Sequence, residues 1–160
     1  VIHRQIPTLK LIYILRNPIE RAWSGLRKSV WYQRGASYLE EKGEAWLLEQ
    51  VMHPSVLERG NYPEAIERWE SVFPSAQIHY MFHDDIRENA VRELDGVADF
   101  LGIGAASLPG ATSGKKKVNA APPMPLPASI RSVLESHYAG QIQLLETRFS
   151  RDLSHWSSSS

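Results

Sequence analysis

The sequence predicts an α/β protein in which a parallel sheet is flanked by helices, and three observations predict it. Leu11–Leu15 is a nearly continuous, β-rich apolar run, the pattern of a strand covered on both faces. That run stops at Arg16 and passes through Asn17-Pro18 into an amphipathic helical pattern. A second β-rich run, Gln77–Phe82, follows further helical segments, and strands alternating with helices build parallel sheets.

Residues 2–6 read as the tail of a helix leading into a strand over 10–16. At the turn, Asn17 is a good N-cap, Pro18 fits the first helical position and Glu20 completes a capping box. The helix from 18 to about 33 places Ile19, Ala22, Trp23, Leu26 and Val30 on one stripe. Ser24 falls roughly opposite that stripe, with Asn17, Glu20 and Lys28, so it meets solvent or a ligand rather than the core. Gly35 marks a break. A second helix is expected over 37–52, before Pro54, and a short turn then reaches Gly60-Asn61. Pro63 opens a helix to about 73, closed by Pro74. The second strand, Gln77–Phe82, is followed by a helix from about 88 to 101 that stops at Gly102. Residues 104–127 are rich in Gly, Ala, Ser and Lys and hold Pro109, Pro122, Pro123, Pro125 and Pro127, a long loop of the kind that often carries function. A final helix over 128–148 aligns Ile130, Val133, Leu134, Tyr138, Ile142 and Leu145. Residues 1–156 thus form one domain, and Ser157–Ser160 reads as a disordered tail.

Only two strands are convincing, and two strands do not make a stable doubly wound sheet. The sheet is therefore expected to be incomplete in this chain, with an apolar edge or face exposed.

Composition excludes several classes. The chain has 160 residues, 42% hydrophobic and 22% charged, enough for one sizeable core. Eighteen basic residues balance eighteen acidic ones, so no global basic field points to nucleic acid. No apolar stretch is long enough to span a membrane. Cysteine is absent, which removes disulfides, thiolate metal sites and cysteine nucleophiles and is compatible with a reducing cytoplasm.

The informative chemistry lies at the exit of the first strand, where open α/β sheets bind ligands. Arg16 is followed by Asn17-Pro18, then Arg21, then Ser24. This pattern resembles the 3′-phosphate-binding motif of sulfotransferases that use 3′-phosphoadenosine 5′-phosphosulfate (PAPS), in which an Arg ends a strand and a Ser follows eight positions later on the next helix. A guanidinium can grip phosphate oxygens through two N–H groups, and a hydroxyl supplies a third donor. Later segments follow the same family in order. These are Gly60-Asn61-Tyr62, the helical Ala65, Ile66, Trp69 and Phe73, the strand Gln77–Phe82, Asp84-Asp85-Ile86, and Phe100-Leu101-Gly102-Ile103. The stretch from Lys115 to Trp156 is similar to the family's C-terminal part. The resemblance implies a P-loop-NTPase-like sheet and transfer of a sulfuryl group from PAPS, as cosubstrate, to a hydroxyl or amine. The acceptor would be a small molecule or a saccharide, and no metal is implied. It also implies Arg16 and Ser24 as donor ligands, Arg21 as support for the turn or the phosphate, and Lys115 and Lys117 in a basic loop, Gly114–Asn119, that folds over the donor.

The bland alternatives stand beside these readings. Arg16 and Ser24 also fit an ordinary solvated strand exit, and the lysine loop fits a solvated linker lacking the family's Arg and Gly pattern. Trp31, Tyr32, Tyr38 and Trp46 fall where the family shapes its acceptor pocket, and they equally suit helix packing. His79 and His83 would lie about 13 Å apart on an extended strand at ~3.3 Å per residue, too far for one metal ion. Asp84 and Asp85 suit a helix cap or an arginine partner. His3 belongs to the helix before the strand rather than to catalysis.

Two family features have no counterpart here: the P-loop-like turn for the 5′-phosphosulfate and the early Glu or His that serves as general base. The expectation is thus the C-terminal part of a sulfotransferase domain, inactive by itself, with no catalytic residue assignable. A nucleotide-kinase-like remnant of the same P-loop fold and a non-catalytic interaction module are the alternatives.

Overall fold

The computed structural model describes residues 2–35, 37–104 and 124–157, so the loop lysines Lys115 and Lys117 and the end of the serine tail lie outside the described residues. The chain divides into two compact units, one of residues 1–16 and 65–118, the other of 17–64 and 119–160.

In the first unit, helix α1 (Ile2–Gln5) leads to strand β1 (Leu11–Leu15). After the end of a later helix comes strand β2 (Ile78–Phe82), and the two strands pair in parallel, Leu11 opposite Ile78 through Leu15 opposite Phe82. The register sorts the side chains by face. Tyr13 and Tyr80 are partners and meet edge-to-face with ring centroids 6.1 Å apart, and the Tyr80 hydroxyl donates to Glu70 Oε1 at 2.9 Å. On the opposite face His79 stacks on Phe100 at 5.1 Å. Lys10 Nζ lies over the same ring and donates to the Phe100 carbonyl, a cation at a helix C-terminus, where the dipole favours it.

That face corrects one expectation. β1 is not covered on both sides: Ile12 and Ile14 are 41% and 49% exposed. An apolar run reports that a strand avoids water, not which neighbours cover it. Among the described residues the sheet has two strands.

Beyond β2 the helix expected from about 88 to 101 is α8 (Ala90–Leu101), and a short helix not expected from the sequence, α7 (His83–Glu88), precedes it. Asn89 separates them; its Oδ1 accepts from Arg92 N at 3.1 Å and so caps α8. Gly102 ends α8 in the left-handed region, φ +75°, while Ile103 N reaches back to Ala98 O at 3.0 Å. An L side chain is strained at that φ, which explains the glycine.

The second unit is helical. Helix α2 (Pro18–Arg34) buries Ile19, Ala22, Trp23, Leu26 and Val30, the predicted stripe. Helix α9 (Ala128–Phe149) buries Ile130, Leu134, Tyr138, Ile142 and Leu145, with Val133 half-buried. The helix expected over 37–52 is instead α3 (Ser37–Glu41) and α4 (Glu44–Val51), because Gly43 adopts an extended conformation and serves as the N-cap of α4. The turn before Gly60 contains α5 (Pro54–Leu57) and a 3₁₀ turn, Glu58–Gly60, and α6 runs Tyr62–Glu70, bridging into the first unit.

Asn17 does more than cap. Its Oδ1 accepts from Ile19 N at 2.9 Å and Glu20 N at 3.3 Å, while its Nδ2 donates to Trp156 O at 2.9 Å. Trp156 is 1% exposed, so that carbonyl has little access to water. Glu20 does not simply close a capping box; its Oε1 pairs with Arg131 of α9 at 3.2 Å. Asn17→Ala is expected to lose the cap, about 1 kcal/mol, and to strand the carbonyl at ~1–3 kcal/mol. Asn17→Ser keeps an acceptor for the cap, but its shorter hydroxyl does not replace the Nδ2 donor that reaches Trp156 O, and it should fall between in thermal or denaturant melts. Equal stability of all three proteins would remove this role from Asn17.

Candidate functional site

The site is built from the first unit's strand ends. β1 and β2 run parallel with Leu15 opposite Phe82, so the residues that follow, Arg16 and His83, leave the carboxyl ends of neighbouring strands. Both are half-buried. Among the described residues no carboxylate pairs with Arg16. His83 opens α7, and Asp84 and Asp85 fill that helix's first turn, where the dipole stabilises carboxylates.

The electrostatics record how close the two strand ends lie. The His83 imidazole is held below its ordinary pKa, first by burial and then by the Arg16 charge; Asp84 pulls it up and Arg87 pulls it down. His83 therefore favours the neutral form, in which one ring nitrogen donates and the other accepts. His79 belongs to different surroundings, stacked on Phe100, and the two histidines share no centre. Among the described residues no group of three His, Asp or Glu side chains converges on a metal position, and no helix is long and apolar enough to cross a membrane.

Ser24 and Arg21 belong to the second unit. Ser24 is half-buried on α2, off the stripe that faces the core. Arg21 is half-buried too, and its charge acts on the Tyr138 phenol. Tyr138 is fully buried and donates to Leu57 O at 3.0 Å. Burial, then the neighbouring Tyr62, push its pKa up to about 12, against the opposing pull of Arg21. The sign gives a pH prediction. A phenol whose folded pKa exceeds its unfolded value of about 10 contributes stability that is complete below pH 10 and lost as pH rises toward 12. Two units correspond to about 2–3 kcal/mol. Unfolding free energy measured across that window should fall in the wild type and fall less steeply in Tyr138→Phe; matching slopes would contradict the assignment.

The Gly60-Asn61-Tyr62 motif also finds its reason here. A Cβ on Gly60 would stand 2.7 Å from Tyr138 Oη and 2.8 Å from Cε1 and Cζ, so only glycine leaves room for the buried phenol. Tyr62 is itself 2% exposed.

The aromatic segment pairs rings with cations. Tyr38 and Trp46 meet edge-to-face at 5.8 Å, and Lys42 Nζ lies 4.8 Å from the Tyr38 centroid and 5.8 Å from that of Trp46. Tyr32 is 60% exposed. His3, on α1, meets Phe73 edge-to-face at 4.9 Å. It lines an open cavity with Arg4, Gln5, Ser71 and Val72.

Sequence reasoning weighed His83 only as a metal ligand with His79 and did not connect it with Arg16. The signal was its place one residue beyond the second β-run, equivalent to the place of Arg16 beyond the first, but only the register shows that the two strands are neighbours.

A parallel strand pair flanked by helices, with Arg16 at the carboxyl end of its first strand, defines an α/β protein whose strand exit is the place where open α/β sheets bind ligands. The chain belongs to the sulfotransferase domain family, whose profile matches residues 4–116. Among curated proteins it is similar to the bifunctional heparan sulfate N-deacetylase/N-sulfotransferase 2 of Mus musculus, 27% identical over 111 residues, which cover 61% of this chain. It is also similar to the bifunctional heparan sulfate N-deacetylase/N-sulfotransferase of Drosophila melanogaster, 25% identical over 114 residues and 63% of this chain. The matches span only 12% and 10% of those proteins' lengths. A sulfotransferase structure from Alicyclobacillus acidocaldarius shares the fold with a TM-score of 0.70 at 23% identity, over 98% of this chain and 61% of that one.

Proposed function

We propose that this chain carries the donor-nucleotide end of a PAPS-dependent sulfotransferase, which moves a sulfuryl group to an acceptor hydroxyl or amine. The observation that carries the reading is Arg16: a half-buried guanidinium without a carboxylate partner among the described residues, at the carboxyl end of a parallel strand, inside the family match. Its planar fork suits a terminal phosphate, and Ser24 supplies a hydroxyl from α2. Bound PAPS would supply the sulfuryl group. The chain's part is to bind and orient the nucleotide, because such transfer depends on positioning and on stabilising spread negative charge. Arg21 supports the turn from within the helical unit, and Lys115 and Lys117 are proposed as loop cations toward the donor.

The two strands among the described residues, with Ile12 and Ile14 exposed, support the reading that further strands complete a P-loop-like sheet and carry the turn for the 5′-phosphosulfate. The similarity to heparan sulfate N-sulfotransferases supports a saccharide amine as acceptor, and Tyr32, Tyr38, Lys42 and Trp46 are the surface proposed to meet it. Calorimetry with adenosine 3′,5′-bisphosphate and AMP, on the full-length protein, tests the core of this reading. Preference for the bisphosphate supports it. Equal affinity for the two nucleotides points to a kinase-like remnant, and binding of neither points to an interaction module.

A further inference from the structure

We infer that His83 is a second ligand of the donor's 3′-phosphate, standing beside Arg16 and taking up one proton from solvent as the nucleotide binds. The inference rests on the reading of Arg16 as the 3′-phosphate grip, and goes beyond it by making donor affinity depend on a titrating side chain.

The placement comes from the strand register. Leu15 and Phe82 are partners in a parallel pair, so Arg16 and His83 leave adjacent strands in the same direction at the same edge. Both are half-buried, which puts them at the margin of the unit, where a ligand can reach them. The chain turns into a helix at His83 itself, so the side chain is not committed to the sheet face as His79 is. Among the described residues the charges acting on it are Arg16 at the end of β1 and Asp84 and Arg87 on α7.

The chemistry follows from those neighbours. Without ligand, burial and the Arg16 charge keep the imidazole neutral, and Asp84 offsets this only in part. A phosphate dianion on Arg16 removes the repulsion and adds an attractive charge, so the imidazolium becomes favourable and donates a charge-assisted hydrogen bond. By linkage, a ligand that raises the histidine's pKa binds more tightly as pH falls, by up to about tenfold for each unit of the rise. The ligand's own phosphate also gains a proton near pH 6, which works the other way, so the effect is read as a difference between proteins.

The test measures adenosine 3′,5′-bisphosphate affinity from pH 8 to pH 6 for wild type, His83→Gln and Arg16→Ala. The His83 ring is followed by proton NMR with and without the bisphosphate, a measurement that needs no variant to fold. His83→Asn serves as a second control if His83→Gln melts early. Expected is a several-fold gain in wild-type affinity on acidification relative to His83→Gln, together with an upward shift of the His83 titration on binding. Parallel pH curves for wild type and His83→Gln, with affinity still dependent on Arg16, would overturn the role of His83 and leave the Arg16 reading intact. Binding that ignores Arg16→Ala, or no binding at any pH, would overturn the Arg16 reading and this inference with it.

Discussion

Arg16→Ala is expected to weaken binding of adenosine 3′,5′-bisphosphate by about thirty- to a thousandfold and to leave AMP binding within about twofold. The range corresponds to ~2–4 kcal/mol, the worth of a bidentate charge-assisted grip on a phosphate. AMP lacks the 3′-phosphate and so lacks the group that Arg16 would hold. Arg16→Lys keeps the charge but loses the planar fork, and should recover only part of the affinity. The comparison is cleanest at pH 8. Arg16 is one of the charges holding the His83 pKa down, so removing it also shifts that histidine, an effect that fades at alkaline pH. Arg16 has no carboxylate partner among the described residues, so its loss orphans no buried anion and should change thermal stability by less than about 0.5 kcal/mol. Calorimetry that finds equal bisphosphate affinity in wild type and Arg16→Ala would sink the phosphate assignment.

Gly60→Ala is expected to cost on the order of 3 kcal/mol, the upper range for overpacking a closed interior. For a chain of this size that corresponds to a fall in Tm of about 6–12 °C. The added Cβ would sit 2.7–2.8 Å from three atoms of the Tyr138 phenol. The ring cannot swing away cheaply, because Tyr138 is fully buried and its hydroxyl is tied to Leu57 O at 3.0 Å. Truncating the ring removes the clash, so Gly60→Ala and Tyr138→Leu should be strongly non-additive, with the double variant more stable than the sum of the two single losses predicts. Strict additivity would show that the glycine is required for another reason.

Much of this was legible in the residues. The α2 stripe, the α9 stripe, the β1 and β2 runs and the glycine stop after α8 all rest on local periodicity or backbone preference, which each segment carries within itself. The break at Gly43 and the short helix α7 before Asn89 were not legible, because a helical pattern continues across Gly43 and six residues are too few to show a periodicity. Arg16 could be singled out because it terminates an apolar run. His83 could not, since its significance depends on which strand lies beside β1. Asn17 was read as a cap from its place before Pro18, but its bond to Trp156 joins residues 139 positions apart, and no local pattern encodes that.

By itself, the sequence determined the α/β class, the helical faces and the cation at the first strand's exit. Spacing and side-chain chemistry alone decide those features. The tertiary structure decided the parallel register that sets His83 beside Arg16, the reason Gly60 must lack a side chain, and which apolar side chains, Ile12 and Ile14, are the exposed ones. Each depends on residues far apart in the chain meeting, or failing to meet, in space. The physical reason is that hydrophobic burial is non-directional: it says that an apolar face will be covered, while packing and hydrogen-bond register decide by what.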